Sequence, residues 1–226
     1  GIVTKHENVI NNIIPSEEWE TIRTKAKQIA GSKCNKENCT VNDMAEIVAE
    51  KLFLAVTSEE CGLLGSEGYC ENPLFPLSKT AVNLNFDGTA PAMRTTGVTL
   101  RAAEKTNTDA LVLAAAAAQG RSVRIVTEDP AGGYFRSDHF NFVKKGVPTV
   151  LCGGGGEVID KARQAAKPKR YTYHQPNDEY REEEWDFDGA MENLNLMFSI
   201  GLMIANQDEM PKWAKDADFQ RQPDKK

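Results

Sequence analysis

Apolar positions change their spacing several times along this chain, and each change marks an element. Trp19, Ile22, Ala26 and Ile29 form one helical stripe after a start at Ser16-Glu17-Glu18, and Gly31 ends it. Thr40 opens a second amphipathic helix with Val41, Met44, Ala45 and Val48 on one side. From Leu52 to Thr57 there is no polar alternation, so the reading is a short strand covered on both faces. It runs straight into Ser58, Glu59 and Glu60, with a short helix from Gly62 to about Glu71 that Asn72-Pro73 stops.

Further on, TAVNLNF (80–86), 97–102, 121–127 and PTVLC (148–152) read as strands. Between them lie an alanine-rich helix opened by Thr108-Asp109 and closed by Gly120, and a short helix capped by Ser137 that ends near Gly146. Gly153 to Gly156 reads as a mobile glycine turn; it lacks the spacing of a phosphate loop and implies no nucleotide site. The last helix, about Asp188 to Ala205, directs Ala190, Leu194, Met197, Ile200 and Leu202 toward the sheet. From Asn206 the chain is polar and is expected to fray or drape on the surface. Strands alternating with helices make an α/β sandwich. The expected organisation is a helical segment 1–51, an α/β domain 52–205 and a polar tail 206–226.

Composition narrows the function classes. At 226 residues the chain suits one domain with a full core, and 40% hydrophobic with 27% charged residues is ordinary for a globular protein. A net charge of −6 without a basic stripe argues against nucleic acid as partner. The longest apolar runs, 111–118 and 196–205, are too short to span a bilayer. Five cysteines form no zinc-finger pattern; Cys34 and Cys39 could clip the CNKENC loop, and Cys61 and Cys70 read as small buried fillers.

Candidate chemistry gathers in three places: the Glu59-Glu60 pair, Asp87 at the end of NLNFDG, and His174 in YHQPNDEY. Carboxylate and imidazole donors of this kind suit zinc and related divalent ions. Adjacent residues leaving a strand point opposite ways, so one glutamate can hold a metal while the other handles a proton. Taken singly, Asp87-Gly88 is a turn aspartate and His174 a loop histidine. The Ser137-Asp138-His139 string is not a hydrolase triad, because triad partners must converge in space and neighbours on a helix start do not.

The string AVTSEECGLLGSEGYCENPLFPLSKT resembles the active-site segment of the co-catalytic zinc aminopeptidases, metallopeptidase family twenty-eight, and YFRSDHFNFVKKGVPTV resembles the segment lining their specificity pocket. The resemblance runs from about Leu52 to Ala205. It implies a three-layer sandwich with a mixed, mostly parallel central sheet and helices on both faces. It also implies Glu60, Asp87 and His174 as metal ligands, Glu59 as general base, and Tyr173 as a phenol near the oxyanion. Asp138 would be a second-sphere or substrate-side residue. The activity implied is zinc-dependent removal of N-terminal residues from peptides, in a secreted or periplasmic setting. Two alternatives stay open: a catalytically impaired peptidase-fold protein that binds peptides, and a single-zinc acyl transferase resembling glutaminyl cyclases. The family's upstream His-x-Asp and Gly-Ala-Asp-Asp-Asn motifs have no counterpart here, and His6 and Asp43 are the only upstream candidates to stand in.

Overall fold

The computed structural model describes residues 52–87, 93–101, 105–127, 129–166, 174–177, 179–182 and 185–221. The two amino-terminal helices expected from periodicity, together with His6, Cys34, Cys39, Asp43 and Tyr173, lie outside the described residues.

After a one-turn 3-10 helix at Glu59–Cys61 comes α1 (Leu64–Glu71). Then follow β1 (Asn83–Asn85), β2 (Thr95–Arg101), α2 (Asp109–Ala118), β3 (Ser122–Val126), α3 (His139–Lys144), β4 (Thr149–Val158), α4 (Lys161–Ala166) and α5 (Asp188–Ala205). The four strands form one sheet in the order β1-β4-β2-β3. β1 runs parallel to β4 and β2 parallel to β3, while β2 and β4 are antiparallel, so the sheet is mixed and mostly parallel. The α/β class read from the sequence is the one observed.

The core lies on one face of this sheet. Val98 and Leu100 of β2 and Val150 and Cys152 of β4 point into it, where Val112, Ala115 and Ala116 of α2 and Leu196, Met197, Ile200 and Ile204 of α5 meet them. The small alanine faces of α2 let α5 pack closely alongside it. A buried guanidinium locks this layer to the sheet: Arg121 donates to the Gly97 carbonyl (2.7 Å) and to Asn193 Oδ1 of α5 (3.0 Å). The other layer is α3 with α1 against it, packed on β1 and β4. Asn85 reaches this layer through its amide, which donates to Ser137 Oγ at 2.8 Å. A small second core of Cys70, Phe142 and Val147 holds α1, α3 and the entry to β4 together.

Several expectations require correction. Leu52–Thr57 has no regular secondary structure and is not a buried strand; Leu52, Phe53 and Leu54 are exposed, and no described strand pairs with them. A strand needs a lateral partner for its backbone, and here the Thr57 carbonyl accepts the Gly65 N–H (3.0 Å) instead. The glycine run is not a turn, because β4 continues through it to Val158. It lies flat enough against β2 that a Cβ on Gly155 would run into the Thr99 hydroxyl. On α5, Leu194 faces solvent, whereas Asn193, Leu196 and Ile204 are buried.

The carboxyl-terminal stretch through Arg221 is docked rather than frayed. Trp213 is buried, its indole N–H donates to the Gly146 carbonyl (2.9 Å), and it bridges to Thr106. Phe219 meets the rings of Phe140 and Trp213, and Arg221 donates to the Thr80 and Ala81 carbonyls. The polarity of this stretch hid two aromatic anchors spaced too widely to register as a periodic pattern.

Candidate active site

The carboxylate corner is wound tightly. Ser58 and Leu63 adopt left-handed backbone conformations (φ 59° and 62°) on either side of the Glu59–Cys61 turn. For a branched residue such as leucine this costs about 1–2 kcal/mol, so the surroundings must hold it in place. Gly65 allows the corner to close, since a Cβ there would run into the Thr57 backbone. The Leu63 carbonyl accepts from Ser66 Oγ and from Asn141 Nδ2, both at 3.0 Å.

His174 is the third non-glycine residue with left-handed backbone among those described (φ 59°). Its ring Nε2 lies 2.5 Å from Glu60 Oε1, although the two residues are 114 positions apart. Both side chains are more than half exposed, so the pair is accessible from solvent. Sequence reasoning named both residues, and the fold brings them into contact.

Asp87 follows β1 by two residues, and its Oδ2 accepts a hydrogen bond from Ser137 Oγ (2.8 Å). Asn85 donates to that same hydroxyl, so β1 and the start of α3 are joined by an Asn85–Ser137–Asp87 relay. This corrects the reading of Ser137 as a helix cap: α3 begins at His139, with Asp138 in the cap position, and the Ser137 hydroxyl is committed to Asp87. Asp138 is partly buried, with Oδ1 enclosed and without a hydrogen-bond partner among the described residues.

Glu59 is where these groups meet electrostatically. Burial, followed by the nearby charges of Glu60, Asp87 and Asp138, raises its carboxyl above the ordinary value, and His174 pulls the other way. A carboxyl displaced upward holds a proton more readily at neutral pH, which suits a group that must both take and return one. His139 sits behind this cluster, fully buried against the Tyr134 ring at 4.9 Å between centroids. Burial pushes its imidazole down to about 4, opposed by the Tyr134 backbone and by Asp87, so it is neutral at pH 7. Cys61 is exposed and Cys70 buried, so only the second is the filler expected.

The donor types suit a divalent ion, and the Glu60–His174 contact puts one carboxylate and one imidazole at a single point. Among the described residues no group of three His, Cys, Asp or Glu side chains converges. Asp87 belongs to the cluster around Glu59 but is held by Ser137 rather than by the Glu60–His174 pair. Glu60 and His174 are thus the one carboxylate–imidazole pair that meets in this region among the described residues.

Sequence reasoning missed Asn141 and Ser66, the buried polar residues under the corner, and it missed the use made of Ser137. The only signal available for Asn141 was a polar residue between Phe140 and Phe142 in an otherwise apolar segment.

The sequence model of peptidase family M28 matches residues 44–199. Among solved structures, an aminopeptidase from Aneurinibacillus sp. strain AM-1 is similar, with 20% identity and a TM-score of 0.46. That likeness covers 74% of this chain and 36% of the aminopeptidase, so the chain spans about a third of its length. No curated protein matches the sequence.

Proposed function

Because the chain belongs to peptidase family M28, we propose that its carboxylate corner is the active site of a metal-dependent peptide hydrolase acting on N-terminal residues. The observation that supports this most is the meeting of Glu60 and His174 beside Glu59, since nothing in local chain geometry requires residues so distant in sequence to touch. Glu60 and His174 are the residues that would hold one zinc ion. When bound, such an ion supplies Lewis acidity toward a peptide carbonyl and toward water.

The remaining work belongs to the protein's own side chains. Glu59, with its raised carboxyl, accepts a proton from the attacking water and returns it to the departing amine. Asp87, fixed by Ser137, and Asp138 keep negative charge around Glu59, which favours its protonated form between those two events. The same acidic surroundings attract the protonated amino terminus of a peptide. Tyr173, adjacent in sequence to His174, is assigned a hydrogen bond to the developing oxyanion.

The test is turnover of an aminoacyl anilide by protein loaded with zinc, compared with Glu59→Gln. Turnover in the parent and its loss in the variant are expected; equal rates in the two would refute the assignment of Glu59. A second reading is favoured by the single carboxylate–imidazole pair, which suits one-metal chemistry: acyl transfer on glutaminyl peptides. Cyclisation of a glutaminyl substrate without hydrolysis of the anilide would select that reading.

A further inference from the structure

Both halves of the carboxylate cluster are tied to one short helix and the turn that leads into it, and the tie on the Glu59–Glu60 side is a residue with no obvious chemistry of its own. Asn141 of α3 is buried, with 2% of its surface exposed. Its Nδ2 donates to the Leu63 carbonyl (3.0 Å) and to Ser66 Oγ (2.8 Å), and Ser66 Oγ donates in turn to the same Leu63 carbonyl (3.0 Å). These three bonds close a ring beneath the left-handed Leu63. Four residues earlier, ahead of the helix start, Ser137 Oγ holds Asp87. The α3 segment therefore sets where the Glu59–Glu60 corner lies relative to Asp87.

We propose that Asn141 is a positioning residue for the carboxylate site: its amide pins Leu63 in the left-handed conformation and so fixes the direction in which Glu59 and Glu60 leave the chain. It acts through the Leu63 carbonyl and touches no substrate. The physical case is one of strain and its support. Ser58 and Leu63 both sit in a region that side chains disfavour, and they bracket a turn of only three residues. Relaxation of either residue swings the carboxylates between them. Leu63 N–H is bonded to Glu59 O and Gly65 N–H to Thr57 O, but these bonds lie within the corner itself and move with it. The Asn141 amide ties the backbone of the corner to a different element. An asparagine serves because two N–H donors on one planar group reach the carbonyl and the hydroxyl together.

The role rests on the proposed hydrolytic function, and the experiment separates the two. Asn141→Ala is compared with Asn193→Ala, which removes another buried amide (8% exposed) that accepts from Arg121 on the opposite layer of the fold. Both variants are expected to melt at lower temperature than the parent. Only Asn141→Ala is expected to lose kcat, by about ten- to a hundred-fold with KM little changed, as for displaced catalytic groups. Amide hydrogen exchange is measured on the same three proteins. In Asn141→Ala the Leu63, Leu64 and Gly65 amides are expected to exchange faster than the loss of global stability explains, whereas in Asn193→Ala they follow global stability. A kcat that falls equally in both variants, or corner amides that keep their protection in Asn141→Ala, would overturn the proposal. If the parent shows no turnover, the functional reading fails, and the exchange comparison still decides whether Asn141 holds the corner.

Discussion

Glu59 carries opposite demands at the level of a single side chain. Burial, and after it the neighbours Glu60, Asp87 and Asp138, make its charged form unfavourable, while the proposed hydrolysis needs that form to be reachable. Glu59→Gln should abolish hydrolysis, a loss of about a hundred-fold or more, without reducing zinc binding, because the variant removes no ligand. Loss of metal in that variant would mean that the roles of Glu59 and Glu60 are exchanged. The same substitution makes a second, thermodynamic statement. A carboxyl raised above its unfolded value of 4.5 favours the folded state below that pH and loses this contribution as pH rises through its folded value. Metal-free Glu59→Gln should therefore melt higher than the parent at neutral pH, with the gap closing toward pH 4.5; a lower melting temperature at pH 7 would contradict the charge crowding. His139 has the reverse sign. Its imidazole lies at about 4 in the fold against 6.5 unfolded, which corresponds to about 3 kcal/mol of stability present above pH 6.5 and lost as pH falls toward 4. Thermal melts of His139→Phe across this range should show a shallower acid loss than the parent, and an unchanged slope would show that His139 is not the group responsible.

Secondary elements show where pattern reading works and where it stops. α5 spans Asp188–Ala205, as the apolar spacing and the following Asn206 predict, because a long helix with one buried stripe carries its own signal. Leu52–Thr57 has an equally plain apolar run and is no strand, since a strand depends on a partner that its own sequence cannot specify. Gly153–Gly156 misled in the opposite direction: glycines imply a turn, yet pairing with β2 on one side keeps residues 153–155 in the strand, and only Gly156 turns left-handed (φ 77°), at the register shift opposite Thr95–Gly97. Glu60, Asp87 and His174 were legible through a motif, whereas Asn141 and Ser66 were not, because their value lies in contacts made across the fold. The carboxyl-terminal strap is the sharpest reversal. Its composition suggests that removal would be harmless, but Trp213 and Phe219 are seated on the core and Arg221 ties off the chain before β1. Trp213→Ala should cost about 3 kcal/mol and lower the melting temperature by about 10 °C, and truncation after Gln207 should cost more. A truncated protein that melts with the parent would show that the strap contributes nothing to stability.

At the scale of the whole molecule, the sheet and its two helical layers bring Glu59, Glu60, Asp87, Asp138 and His174 to one region from four separate stretches of chain. No described helix is long and apolar enough to cross a membrane. What the assembled region offers a metal is limited: one carboxylate–imidazole pair, with no third donor of that class converging among the described residues. A two-metal site, with ions about 3.5–4 Å apart, needs bridging and flanking ligands beyond such a pair. The central claim is accordingly a single, loosely held zinc ion at Glu60 and His174. Calorimetric titration of zinc into the chelator-treated protein tests it most directly. The account predicts one weak site, lost in His174→Ala and in Glu60→Gln and retained in Glu59→Gln. Two tightly bound ions, or one whose binding is indifferent to Glu60 and His174, would contradict it.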